Sequence, residues 1–215
     1  MTPRERFNAL DERDKQKILD KYRDWNTNHD WWDSTYEMFK EDMYAKGINV
    51  TNMYFSGFWS QGDGACFEGG VYNWPVFLKA LGYDNEVLID FAKDTWSFSV
   101  KHSGHYYHEN CTDFNDDMPN PDGEDDDWFI EKFCKCTDPE DLRAIAELAI
   151  LRSFDYESMT DEFVEMFKDN MRSLYSTLEE EHDYLTSDEA VLDSLEANDL
   201  LEDAINEIVE EHEDA

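Results

Sequence analysis

Basic residues are scarce in this chain: 18 Lys and Arg stand against 53 Asp and Glu in 215 residues, a formal net charge of -35 at pH 7. A surface of that sign repels DNA, RNA and anionic membranes, so direct nucleic-acid and membrane-surface binding are not expected. Long apolar runs are also missing. No stretch reaches the roughly 18 apolar residues that a membrane-spanning helix needs. The start of the chain, Met1-Thr2-Pro3-Arg4-Glu5-Arg6, has no apolar signal core behind it. The four cysteines, Cys66, Cys111, Cys134 and Cys136, are too few for a disulfide scaffold. A cytoplasmic setting with reduced thiols is therefore expected, and no motif calls for a cofactor.

What the chain does have is aromatic: 14 Phe, 11 Tyr and 7 Trp. A disordered acidic chain lacks such residues and cannot offset its ordering entropy. The acid therefore sits on a folded body. It costs stability by self-repulsion, and three reasons for keeping it are halophily, mimicry of a polyanion and cation binding. It is unevenly spread. Residues 1–25 hold seven Lys and Arg against six Asp and Glu, whereas residues 155–215 hold 22 acids and two bases, Lys168 and Arg172.

Thr2-Pro3-Arg4-Glu5 reads as a helix start with a capping box, followed by Phe7, Leu10, Ile18 and Trp25. Trp32, Tyr36, Phe39 and Met43 lie on one face of a second helix, which Lys46-Gly47 ends. Ile48 to Phe58 reads as a strand, Ser60 to Gly64 as a turn and Ala65 to Gly69 as a returning strand. Short helices follow from Asn73-Trp74-Pro75 to Leu81 and from Glu86 to Ala92, then a long strand from Thr95 to His108. From Trp128 onward the pattern is helical. Its apolar stripes are Phe163, Phe167, Met171, Leu174 and Leu178, then Val191, Leu192 and Leu195, then Leu201, Ile205 and Ile208. The expected class is α+β: a small antiparallel sheet of about three strands packed with helices, then an acidic helical C-terminal part. The expected divisions are N-terminal helices (1–47), a β-rich core (48–112), an acidic loop (113–127) and an acidic helical region (128–215), together one domain.

Four constellations are candidates for function. The glycines at 57, 62, 64, 69 and 70 resemble a phosphate cradle, but the loop leads into a strand and carries Asp63 where a cradle has Lys, so a tight hairpin is the better reading. Cys66 could serve as a nucleophile with His102, His105 or His108 as base and Asp63 as orienter; a lone Cys in an apolar strand is more often buried and inert. The three histidines, Cys111, Cys134 and Cys136 are zinc-type ligands, yet Cys-x-Cys is not the usual spacing and steps of three alternate faces on a strand. Asp113, Asn115, Asp117 and Glu124 match positions 1, 3, 5 and 12 of a calcium loop, with Met118 where glycine is needed.

A further candidate is the acid itself. Asp113, Asp116, Asp117, Asp122, Glu124, Asp125, Asp126 and Asp127 crowd one stretch, and Glu179, Glu180, Glu181 and Asp183 sit beside an apolar stripe. Acidic faces are ordinarily just solvated. Carboxylates fixed on folded elements can also imitate DNA phosphates and draw a basic cleft. Trp31, Trp59 and Trp128 are candidate interface anchors.

Two stretches carry a resemblance. Tyr54-Phe55-Ser56-Gly57-Phe58-Trp59-Ser60-Gln61-Gly62-Asp63-Gly64-Ala65-Cys66-Phe67-Glu68-Gly69 with His102-Ser103-Gly104-His105-Tyr106-Tyr107-His108, and Tyr184-Leu185-Thr186-Ser187-Asp188-Glu189-Ala190-Val191, resemble an uncharacterised phage and prophage accessory protein family, some members of which are labelled antitoxin-like. The resemblance implies a host bacterial cytoplasm and no catalytic residue. With the charge, it leads to the expectation of an acidic anti-defence inhibitor, in one form a DNA mimic, that blocks the basic cleft of a host protein of the nucleic-acid-binding defence or nucleoid kind. An antitoxin-like partner of one basic protein and a small Cys/His enzyme or zinc protein are the alternatives.

Overall fold

The computed structural model describes residues 1–119, 121, 129 and 142–213. They fall into two compact units: Met1–Thr35 with Thr177–Ala215, and Tyr36–Ser176.

The smaller unit joins the two ends of the chain. Helix α1 (Pro3–Ala9) opens with the expected capping box, Thr2 and Glu5 each bonding the other's backbone amide. The sequence suggested one loosely apolar segment here. The chain instead breaks at Leu10, and Asp11 caps a separate helix, α2 (Glu12–Lys21), by accepting from the Asp14 amide. A short 3₁₀ turn, Trp25–Thr27, follows. At the other end, α8 (Asp188–Ala197) is capped by Ser187, and α9 (Leu201–Glu213) closes the described chain. Phe7, Ile18 and Leu19 pack with Val191, Leu195, Leu201 and Ile205 in one buried cluster. Around it the early bases meet the late acids. Arg4 lies 3.0 Å from Asp193, Arg6 pairs with Glu202, Lys21 with Glu207, and Arg23 lies 2.5 Å from Asp188.

The larger unit is built on a four-stranded antiparallel sheet, one strand more than expected, in the order β1 (Ile48–Phe55), β2 (Ala65–Val71), β3 (Ser97–His102) and β4 (Thr112–Asp117). Helix α3 (Asp33–Ala45) leads into it, ending at Gly47 with φ +83° as the stop signal required. β1 and β2 form the predicted hairpin, with Thr51 skipped in the register as a bulge. Helices α4 (Trp74–Ala80) and α5 (Glu86–Thr95) are capped by Asn73 and Asn85. The strand after α5 stops at His102 and not His108, because Gly104 turns the chain at φ +99°. Residues 113–117, expected in a solvated acidic loop, belong with Thr112 to the fourth strand, in register with β3 from Ser97↔Asp117 to His102↔Thr112. Acid-rich composition hid it, since Asp is depleted in strands generally. It is tolerated on an edge, where charge discourages stray pairing.

Helix α6 (Leu142–Leu151) precedes the 30-residue α7 (Tyr156–Leu185). Phe163, Phe167 and Met171 of the α7 stripe lie in the core of the larger unit. Phe167 stacks on Phe67 at 5.5 Å and meets Phe98 at 5.3 Å; Phe163 meets Phe77 at 5.0 Å and Phe98 at 5.6 Å. No helix among the described residues is long and apolar enough to cross a membrane.

Phe167 touches Phe67, Phe77, Phe98 and Phe114 and is fully buried. Phe167→Ala is expected to cost about 3–5 kcal/mol, read as a shift of the urea midpoint of the transition that reports the sheet.

Candidate functional site

The acidic candidates divide between the units. On β4, Asp113, Asp116 and Asp117 are exposed. Asp113 stands opposite Lys101 and Asp117 opposite Ser97. Asp116 also lines an open cleft with Met118, Tyr156, Glu157 and Thr160. Near the end of α7, Glu180 and Asp183 are exposed and Glu179 and Glu181 half-buried, next to the buried Leu178. Asp122, Glu124, Asp125, Asp126 and Asp127 lie outside the described residues, as do Cys134, Cys136 and Trp128.

The strand removes the calcium-loop reading. Asp113, Asn115 and Asp117 are alternate residues on an extended chain, stepping about 6.6 Å apart along it, whereas a calcium loop folds its ligands around one ion. Among the described residues no group of three or more His, Cys, Asp or Glu is placed to hold a metal.

Cys66 sits on β2 with no exposed surface. Burial first, then the neighbouring Cys111 and Glu68, pushes its thiol up to about 12. A thiol held that high carries almost no thiolate near neutral pH, which opposes a nucleophilic role. Asp63 is not an orienter either. Its Oδ2 accepts from the amides of Trp59 and Ser60 at 2.9 and 2.6 Å, closing the hairpin loop on itself.

The two motif stretches, some forty residues apart in sequence, are brought to the same end of the sheet. The loop 56–64 joins β1 to β2, and the loop 103–111 joins β3 to β4. Glycine allows them to touch. A Cβ on Gly62 would lie 3.0 Å from the Tyr106 ring, and one on Gly64 would lie 3.0 Å from His108 and the Tyr107 carbonyl oxygen. Tyr54 stacks on Tyr107 at 5.2 Å, with the His102 ring 5.0 Å from Tyr107. Beneath them Glu68 accepts from Asn52 Nδ2 at 2.7 Å, the His102 amide at 3.3 Å and the Tyr54 hydroxyl at 3.5 Å. The Asn52 bond leads in holding its carboxyl below the usual range. His108 Nδ1 lies 2.9 Å from Glu109, whose other oxygen is 3.8 Å from Arg172 on α7. Tyr175 donates to the Gly57 carbonyl at 3.3 Å. The glycines were the signal in the sequence, but each was read within its own hairpin.

Of the three tryptophans considered as anchors, Trp31 is buried and Trp59 is 78% exposed. Tyr106, which the sequence reading passed over, is 51% exposed beside Trp59's loop.

A family model described as a domain of unknown function, DUF8835, matches residues 31–188, well over half of the chain, so the chain belongs to that family. The match includes the whole sheet, both motif loops and α7. No curated protein and no solved structure matches it.

With its thiol held up to about 12, Cys66 is expected to resist iodoacetamide at pH 8 in the folded protein and to react within minutes once denatured. Mass spectrometry of the peptide checks this, and rapid labelling of the native protein would restore a thiol mechanism.

Proposed function

We propose that this DUF8835 protein works by binding and not by catalysis, as an acidic inhibitor that occupies the basic, nucleic-acid-binding cleft of a partner protein. One observation carries this reading: exposed carboxylates stand on regular backbone. Asp113, Asp116 and Asp117 are fixed by the β3–β4 register. Carboxylates held at set spacings resemble phosphates more closely than those of a flexible tail, and a cleft shaped for DNA gains the same counterion release from them. The charge is also not confined to one part. The smaller unit holds 24 acids against seven bases, the larger 29 against eleven. Long-range attraction would steer a basic partner to the protein quickly.

The phage setting implied by the sequence motifs makes the partner a host defence or nucleoid protein, and the role that of an anti-defence factor in the bacterial cytoplasm. The inert Cys66 is compatible with a protein that acts by occupying a site.

The immobilised protein, offered a bacterial lysate, is expected to retain DNA-binding proteins at about 0.1 M salt. It should release them towards about 1 M, as the screening length falls from about 10 to about 3 Å. Duplex DNA should compete them off. Replacing Asp113, Asp116 and Asp117 together by Asn is expected to slow association about tenfold. Retention that is indifferent to salt and to DNA rules the proposal out.

A further inference from the structure

The acid has gaps, and the largest falls on the motif loops. Residues 43–62 run for twenty positions without an Asp or Glu, in a chain where 53 of 215 residues are acids, and residues 95–108 contain none. These two stretches supply most of the two loops that touch through Gly62 and Gly64. Each loop has one carboxylate, and both are held by neighbours. Asp63 accepts from the Trp59 and Ser60 amides, and the Glu109 side chain, 14% exposed, lies against His108 and Arg172. What remains outward is Trp59, Ser60, Gln61, Gly104, His105 and Tyr106, all exposed and none acidic.

We infer that this loop face is a self-association surface, on which a second copy of the chain docks about a two-fold axis. The argument for a second copy is electrostatic. A basic partner gains most by meeting carboxylates, and among the described residues the two loops offer it only Asp63 and Glu109, both held by neighbours, with Glu165 and Asp169 alongside taken up by Arg172. Two copies that each carry -35 repel over most of their surface. They can approach at short range only where acid is absent. The face also has the composition of an interface centre, an exposed Trp and an exposed Tyr with small polar neighbours. Its loops are already ordered by the Asp63 bonds, the Tyr106 ring against Gly62 and the Tyr175–Gly57 bond, so little entropy is lost on docking. A two-fold contact uses the same face on both copies and closes at two. The β4 edge of the sheet carries Asp113, Asp116 and Asp117, so strand-to-strand pairing there is opposed by charge.

Sedimentation equilibrium of the full chain separates this from binding to a basic partner, because the two respond to salt with opposite sign. At about 100 µM, well above a dissociation constant of the micromolar class, the mass is expected to rise from between one and two chains at about 0.1 M salt to two chains at about 1 M, where repulsion is screened. Trp59→Ser and Tyr106→Ser should each weaken the dimer at least about tenfold with an unchanged far-UV spectrum. Asp113→Ser should leave the dimer intact. A mass of one chain at both salts, a mass above two chains, or a dimer that survives both loop substitutions would overturn the inference.

Discussion

Self-repulsion is the constraint to which both units respond. Thirty-five uncompensated negative charges oppose compaction, and each unit meets this differently. In the smaller unit the answer is pairing across the chain. Its seven bases all lie in the first 23 residues, and the sixteen acids from 177 onward have no base among them. Folding brings Arg4, Arg6, Lys21 and Arg23 onto Asp193, Glu202, Glu207 and Asp188. Partly exposed pairs of this kind contribute little individually. Their larger effect is to make the ends of the chain the natural partners of each other. Phe7, Ile18 and Leu19, packed on Val191, Leu195 and Ile205, supply the apolar part of that pairing.

In the larger unit the answer is segregation. Acid is sparse in the hairpin, which holds Asp63 and Glu68, and absent from β3, and aromatic side chains take the interior. Phe163 and Phe167 on α7 reach Phe67, Phe77 and Phe98 from one helix face. The acid returns on β4, where three Asp mark the edge. This arrangement separates two kinds of surface in one unit: a charged edge suited to steering a basic cleft and an uncharged aromatic tip suited to short-range contact.

Local signals in the sequence were reliable wherever the deciding interactions are local. The Thr2–Glu5 capping box, the helix start at Asn73, the Gly47 stop and the hairpin at Ser60–Gly64 all depend on neighbours within a few residues. The apolar stripes of α7, α8 and α9 are buried as their periodicity required. The failures have two causes. Residues 112–117 become a strand because β3 supplies a ladder for them, and the propensity of TDFNDD gives no hint of it. The Leu10–Asp11 break and the stop at His102 depend on single residues within otherwise continuous patterns.

By itself the sequence determined the class of the protein and the sign of its surface, because composition and short-range periodicity fix how much apolar area can be buried and what charge remains outside. It also located the unusual motifs. Only the tertiary structure decided what those motifs are for one another. Gly62 and Gly64 lack side chains because Tyr106 and His108, from a loop forty residues on, occupy that space. Cys66 is withdrawn from water because it belongs to the buried core of the larger unit, and Asp63 faces inward because its own loop needs the bonds. The acidity with which the sequence first presents itself is thus resolved into paired, edge-placed and excluded parts. That sorting depends on contacts between distant residues, which no reading of neighbours along the chain contains.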